Sequence, residues 1–212
     1  MSAGHSQLFL VGIFVALNLP SSAAWADPAS SVAPVNPASS VAPADPEKLM
    51  AQAEKALDRE DLDVAVKLYV QAAQLNYTPA QVALGQFNDS AQFYEAAVGW
   101  FLMAATQGDA AGQYDLGRMY VAGNGIEKDE AKASYWFKRS AAKNFLPAVR
   151  WLANAYRLGL SGLKVDLDQA KSWDAKATRL EAIERKAADE KMAALLTARK
   201  KSQEEAAKKA NK

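Results

Sequence analysis

Three tryptophans recur at a nearly constant interval in this chain, and their period constrains the fold more than any other feature. Trp100, Trp136 and Trp173 are separated by 36 and then by 37 residues, and each has an alanine three residues before it. Self-similarity at a period of roughly 20–50 residues is typical of stacked supersecondary units. Such units bury their apolar faces only by packing against their neighbours. The period therefore predicts a repeat protein whose surface binds something.

The apolar residues around the tryptophans have the 3–4 spacing of helices, so each unit is predicted to be a hairpin of helices A and B. We predict an all-α fold, a right-handed α-solenoid of about four helix-turn-helix repeats in residues 47–178 with a long C-terminal helix. Aligning the repeats predicts A helices at 79–88, 110–122 and 147–158, and B helices near 61–75, 91–107, 129–143 and 167–178.

Small residues recur in register with the helices and support the same alignment. Asn76, Gly108 and Asn144 each follow a B helix, and these residue types tolerate the left-handed conformation of a helix stop. Gly85 and Gly117 lie inside A helices, where an unpaired glycine costs about 1 kcal/mol relative to alanine. We therefore expect these two glycines to mark close contacts between helices.

Residues 111–142 contain leucine-glycine, tyrosine, a glycine-rich loop, aspartate, alanine and tryptophan at fixed spacing. This run resembles the Sel-one-like repeat, a relative of the tetratricopeptide repeat. The following unit matches with one extra loop residue, the preceding unit lacks the glycine loop, and residues 47–78 look like a degenerate tetratricopeptide unit that caps the stack. The matching residues are Leu84, Gly85, Trp100, Leu116, Gly117, Tyr120, Gly123, Gly125, Asp129, Ala133, Trp136, Leu152, Tyr156 and Trp173.

The resemblance implies structural roles for these residues. Trp136 and Tyr120 are expected to fill the groove between helices A and B, and Asp129 to accept backbone N–H bonds at the start of a B helix. An aromatic box for a ligand is the alternative. The family implies a protein–protein adaptor, with periplasmic scaffolds, envelope regulators and immunity-type inhibitors among its known members.

The composition argues against several chemical functions. The chain has no cysteine, and its one histidine, His5, lies near the start. Zinc sites built from cysteine or histidine and nucleophiles activated by histidine are therefore excluded beyond that residue. We predict a protein that is not an enzyme, with no catalytic residues, metal or cofactor. Carboxylate or lysine catalysis, as in an enzyme acting on the cell wall, remains the open alternative.

The N-terminal region has the features of an export signal. Residues 1–26 contain no Asp, Glu, Lys or Arg, and the apolar run 8–19 is followed by Ala24-Trp25-Ala26. This pattern predicts a signal peptide cleaved after Ala26 and a periplasmic or secreted protein. A retained N-terminal anchor is the alternative. The Pro/Ala/Ser-rich residues 27–46 are predicted to be an extended linker, either a functional tether or an unselected spacer.

The C-terminal region is rich in alanine and lysine. Residues 175–212 contain 11 Lys or Arg and 6 Asp or Glu, a net charge of +5. We predict a charged helix over 179–212 in which residues near 179–196 pack on the last repeat. Dimerisation and a free helix remain open, but sustained heptads are absent and a monomer is expected. The basic helix could contact membrane or cell wall, whereas nucleic-acid binding is not expected.

The candidate partner-binding residues are polar positions that vary between repeats on the A helices. We expect a protein partner of unknown identity to bind there, on the concave face, and an inhibitor or immunity protein for an effector is the alternative function. Arg118, two residues after a packing pair, is expected to bind the partner without stabilising the fold. The full set is Gln86, Gln113, Asp115, Arg118, Arg150, Asn154 and Arg157.

Overall fold

The computed structural model describes the backbone of residues 44–210 and the side chains of residues 44–204. The predicted signal peptide, 1–26, and nearly all of the predicted linker, 27–46, lie outside these residues. The described part of the chain forms eight α-helices and no strand. They are α1 (Pro46–Leu57), α2 (Leu62–Gln74), α3 (Thr78–Ser90), α4 (Tyr94–Thr106), α5 (Ala110–Ala122), α6 (Glu130–Ala142), α7 (Leu146–Leu158) and α8 (Leu167–Ala210).

Consecutive helices pack as hairpins, and the hairpins stack in chain order. Helices α1, α3, α5 and α7 are the A helices, and each packs against the B helix that follows it, namely α2, α4, α6 and the first part of α8. Each B helix from α2 to α6 also packs on the next A helix, and α3 contacts α5 directly. Of the A helices, α3 and α5 are therefore direct neighbours, and the predicted all-α repeat fold is confirmed.

The helix ends have the local chemistry that the sequence predicts. The Asp129 side chain accepts a hydrogen bond from the backbone N–H of Lys132 at 2.8 Å, which satisfies a free donor at the start of α6. Asn76, Gly108 and Asn144 have φ values of 60°, 91° and 63°, so all three are left-handed as expected. These residues end the B helices and let the chain reverse into the next A helix.

The glycines inside the A helices are points of close approach between helices. A Cβ atom added to Gly85 would lie 2.4 Å from Cε1 of Phe101, and one added to Gly117 would lie 2.9 Å from Cε1 of Phe137. Both phenylalanine rings are fully buried. The absence of a side chain at these glycines therefore makes room for the ring of the paired B helix.

The structure changes the role that the sequence suggests for Trp136. Phe137, the next residue, is fully buried between helices, whereas Trp136 only borders the same core and is partly exposed. One face of Trp136 meets the Arg139 guanidinium, 5.5 Å from the ring centroid. The groove between α5 and α6 is thus filled mainly by Phe137. Of the other matched residues, Leu84, Trp100, Leu116, Tyr120, Ala133 and Leu152 are buried, and Tyr156 and Trp173 are partly buried.

The C-terminal helix packs over a shorter length than predicted. Leu180 packs against the core of the fourth repeat, but every residue from 182 to 204 is exposed. The prediction that residues up to 196 pack on the last repeat is wrong, because no further A helix among the described residues lies beside them. Ile183 and Leu196, for example, are each 59% exposed. No helix between Pro46 and Ala210 is both long enough and apolar enough to cross a bilayer.

Candidate protein-binding surface

The candidate surface follows the A helices along the stack. Gln86, Arg118 and Asn154 occupy equivalent positions on α3, α5 and α7, and all three side chains are exposed. Arg150 and Arg157, one turn to either side of Asn154, are exposed as well. These five exposed residues are called the A-helix surface below. Their role in contacting a partner remains a prediction.

Gln113 does not belong to this surface, and its assignment as a contact residue is wrong. It is fully buried, and its Nε2 donates to the carbonyl of Ala105 on the preceding B helix at 3.2 Å. Gln81 makes the same buried bond to Ala73 one repeat earlier. The two glutamines therefore join adjacent repeats, since each satisfies a carbonyl at the end of a neighbouring helix.

Asp115 is also not a free contact residue, because it is buried beneath the surface. Its side chain is 6% exposed, and its two carboxylate oxygens accept bonds from Gln86 Nε2 at 3.1 Å and from Arg118 Nη1 at 3.0 Å. Arg118 Nη2 also lies 3.5 Å from Asp89 of α3. This network, called the α3–α5 ladder below, links two A helices. The expectation that Arg118 does not stabilise the fold is therefore wrong.

Burial raises the pKa of the Asp115 carboxyl above its ordinary value, and the bonds from Gln86 and Arg118 oppose that shift only in part. Ionising Asp115 therefore costs more in the folded protein than in the unfolded chain. The nearby carboxylates raise the pKa of Arg118 despite its partial desolvation, so this guanidinium stays charged. The ladder thus holds a cation at the surface above a buried acid.

Between α5 and α7 the surface becomes aromatic. Trp151 stacks on the buried ring of Phe137, with ring centroids 3.8 Å apart and an interplanar angle of 24°. Tyr114 lies against the same ring at 5.5 Å and against Phe145 at 5.6 Å. Trp151 and Tyr114 are both partly buried. They therefore present apolar surface to the groove between the two A helices.

This groove, called the α5–α7 groove below, joins apolar and charged side chains. Its volume is about 590 Å³, within the range of roughly 300–1,000 Å³ that is typical of binding clefts. Trp151 also lines a second, smaller pocket, together with Arg118. The residues that line the α5–α7 groove are Tyr114, Leu146, Pro147, Arg150, Trp151, Asn154, Arg157 and Asp174.

The two arginines of the groove are paired with acids of α8. Arg150 donates from Nε and Nη2 to one oxygen of Glu181, at 3.0 and 2.7 Å. Arg157 donates to Asp174 at 2.5 Å and to the side-chain oxygen of Asn154 at 3.3 Å. These bonds fix the guanidinium groups against the last helix. They also connect the surface to the C-terminal end of the repeat stack.

Sequence reasoning missed Tyr114, Trp151, Asp174 and Glu181. Trp151 had a detectable signal, since Asp115 and Ala83 occupy the equivalent positions of the earlier A helices. An aromatic residue at a position where the other repeats have a small or an acidic residue indicates that the surface differs in this repeat. Asp174 stands where α4 and α6 have the buried residues Phe101 and Phe137, and this departure from the repeat was also visible in the sequence.

The described side chains contain no group of three or more His, Cys, Asp or Glu residues placed to hold a metal ion. The A-helix surface offers hydrogen-bond donors, and the α5–α7 groove adds the aromatic rings of Tyr114 and Trp151. Arginine and aromatic residues are enriched in protein interfaces.

The fold defines an α-helical repeat protein. The Sel1 repeat model matches more than half of the chain, at residues 55–77, 78–109, 110–145 and 146–180. The chain belongs to the Sel1 repeat family. The match at 55–77 places the first unit in the same family, although its sequence looked more like a tetratricopeptide unit. Sel1 repeat proteins are in general non-catalytic scaffolds for protein interaction.

Two curated relatives are similar to part of the chain. DAP3-binding cell death enhancer 1 of Rattus norvegicus is 35% identical over 108 residues, covering 49% of this chain and 21% of that protein. Chitin synthase regulator SKT5 of Saccharomyces cerevisiae is 32% identical over 124 residues, covering 55% of this chain and 18% of that protein. The chain thus spans about a fifth of the length of these relatives.

Two solved structures have the same fold. The protective antigen c5321 of uropathogenic Escherichia coli, which displays an SLR fold, aligns with a TM-score of 0.60 and 27% identity, covering 64% of this chain and 30% of that chain. A Sel1 repeat protein from Oxalobacter formigenes aligns with a TM-score of 0.59 and 25% identity, covering 63% and 56%.

Proposed function

We propose that this chain is a non-catalytic adaptor that binds a protein partner through its A-helix surface, centred on the α5–α7 groove. The observation that carries the proposal is the position of Trp151 and Tyr114 beside the exposed Arg150 and Arg157. Tryptophan, tyrosine and arginine are the residues that most often dominate binding energy in protein interfaces. The membership of the Sel1 repeat family supports the same class of function.

We also propose that the adaptor acts outside the cytoplasm. The support is the uncharged apolar segment that ends at Ala26, which has the pattern of a cleaved signal peptide. N-terminal sequencing of the protein recovered from the cell envelope or medium tests this proposal. A mature chain that begins at Asp27 supports it, and an intact Met1 would contradict the cleavage.

Affinity capture from envelope extracts tests the binding function. Asn154→Trp fills the α5–α7 groove with a bulky neutral side chain, and Gln71→Trp adds the same side chain at an exposed position on the B helix α2. We expect Asn154→Trp to reduce the yield of the captured partner at least fivefold and Gln71→Trp to leave it unchanged. Equal yields from both variants and the wild type would show that binding occurs elsewhere.

A second candidate function is regulation of the captured protein, as an inhibitor or immunity factor. The yeast relative is named as a regulator of chitin synthase, so a regulatory role has a precedent among similar proteins. The two functions differ in a direct assay. A regulator changes the activity of the captured protein when it is added at stoichiometric amounts, whereas a simple adaptor leaves that activity unchanged.

A further inference from the structure

We infer that the segment recognised by the A-helix surface is an acidic peptide that carries a bulky apolar side chain, which fits into the α5–α7 groove. This inference rests on the proposed function and adds the chemistry of the partner to it. It follows from three features of the surface. The arginines of its ion pairs are in general more exposed than the acids, these arginines keep N–H groups that the ion pairs do not use, and aromatic rings lie between them.

The ion pairs are layered with the cations outward. The Arg118 side chain is 47% exposed, whereas its partners Asp115 and Asp89 are 6% and 20% exposed. Arg150 is 63% exposed and its partner Glu181 is 33% exposed. At Arg118 and Arg150 the cation is therefore more exposed than the acids paired with it, so that a carboxylate of a partner is favoured over a lysine at these two positions.

Asp174 is the exception to this layering, because it is 50% exposed and its partner Arg157 is 44% exposed. It lies on α8, at one edge of the groove. Arg118 does not line this groove but shares the smaller pocket with Trp151. Along α7 itself, the charged residues that line the groove are the two arginines.

The arginines of the groove retain donors for a ligand. A guanidinium has five N–H groups, and the bonds described above use two in Arg150 and two in Arg157. The same bonds hold both side chains in place, so binding a carboxylate costs less side-chain conformational entropy than it would with free arginines. Carboxylates are the groups that a fixed arginine fork binds best in a peptide.

The apolar part of the peptide is indicated by Trp151. Its ring is stacked on Phe137 and cannot turn away from the groove without losing that contact. Tyr114 adds a second ring, and burial raises the pKa of its hydroxyl, so this residue is neutral at physiological pH. A bulky apolar side chain packed on these rings places its flanking residues beside the arginines.

The test is fluorescence anisotropy with three labelled peptides. The first has one central tryptophan between pairs of glutamates, the second has lysines in place of the glutamates, and the third has alanine in place of the tryptophan. We expect the first peptide to bind at least tenfold more tightly than either of the others. Its affinity is expected to fall as the salt concentration rises.

Matched variants locate the site. Arg150→Gln and Arg157→Gln are each expected to weaken binding of the acidic peptide at least threefold. Arg59→Gln removes the same charge from an exposed turn of the first repeat and is expected to change nothing. Circular dichroism of each variant shows whether the helices remain folded.

Three results would overturn the inference. They are absence of binding by the acidic peptide, an equal effect of Arg59→Gln, and a preference for the lysine peptide. If the lysine peptide is preferred and Arg150→Glu strengthens its binding, the groove still binds protein, so the proposed function survives while the acidic chemistry fails. A dimer in sedimentation that Arg150→Gln dissociates would identify a second copy as the occupant, and would also overturn the inference.

Discussion

Reversing the charge of Arg118 should destabilise the fold, because Arg118 neutralises a buried acid. Arg118→Glu removes the 3.0 Å bond to Asp115 and the 3.5 Å contact with Asp89, and puts a third carboxylate beside them. Removing a partner from a buried ion pair typically costs about 3–5 kcal/mol. Arg118 is half exposed, so solvent screening reduces this cost. We expect the free energy of unfolding to fall by about 2–3 kcal/mol.

Urea denaturation followed by circular dichroism measures this change, and thermal melting should show a decrease of about 4–12 °C for a domain of this size. Arg118→Gln is the matched control, since it keeps a donor for Asp115 without adding a like charge, and it should cost about 1 kcal/mol. Adding Asp115→Asn to Arg118→Glu removes the repulsion between the two carboxylates and should recover part of the loss. A wild-type unfolding curve for Arg118→Glu would refute the α3–α5 ladder as a stabilising network.

Three further predictions concern buried groups. Phe137→Ala should cost about 3–5 kcal/mol of unfolding free energy, and Trp136→Ala distinctly less, because only Phe137 is fully buried; equal losses in urea denaturation would contradict this order. Gln81→Met should lower the free energy of unfolding by about 1 kcal/mol more than Gln113→Met does. The amide oxygen of Gln81 accepts a hydrogen bond from Gln107, whereas that of Gln113 has no partner among the described residues. The difference between the midpoints of urea denaturation of the two variants measures this. Asp115→Asn should become more stable relative to the wild type as the pH rises from about 3 to 7. The pKa of Asp115 is raised in the folded protein, so the wild type loses stability as Asp115 ionises at pH values above its ordinary pKa of 3.8. A constant difference in melting temperature between the two proteins across this pH range would refute the raised pKa.

The repeat period carried most of the information about the fold. It aligned the residues that end the helices, and Asn76 and Asn144 are left-handed because the same turn recurs in each repeat. It also identified Gly85 and Gly117 as packing points, since a glycine kept in one register of a helix implies a close neighbour. Local chemistry that repeats with a fixed period is therefore readable from one sequence.

The burial of polar side chains was harder to predict. Asp115 is polar and repeat-variable, which is also true of a surface residue, and its burial depends on α3 supplying Gln86 as a donor. Gln113 shares its register with Gln81, and a glutamine that recurs in one register could have indicated a structural bond. The sequence of α8 gave no sign of where its packing ends, because that depends on the length of α7 and not on α8 itself.

Site-specific photocrosslinking can show whether the A-helix surface binds a protein partner. A benzophenone amino acid is introduced at Asn154 in the α5–α7 groove, or at Lys138 on the exposed side of the B helix α6, and the protein is irradiated in envelope extracts. We expect a discrete crosslinked protein from the probe at Asn154 and none from the probe at Lys138. The same crosslink from Lys138, with none from Asn154, would show that the partner does not bind at the A-helix surface.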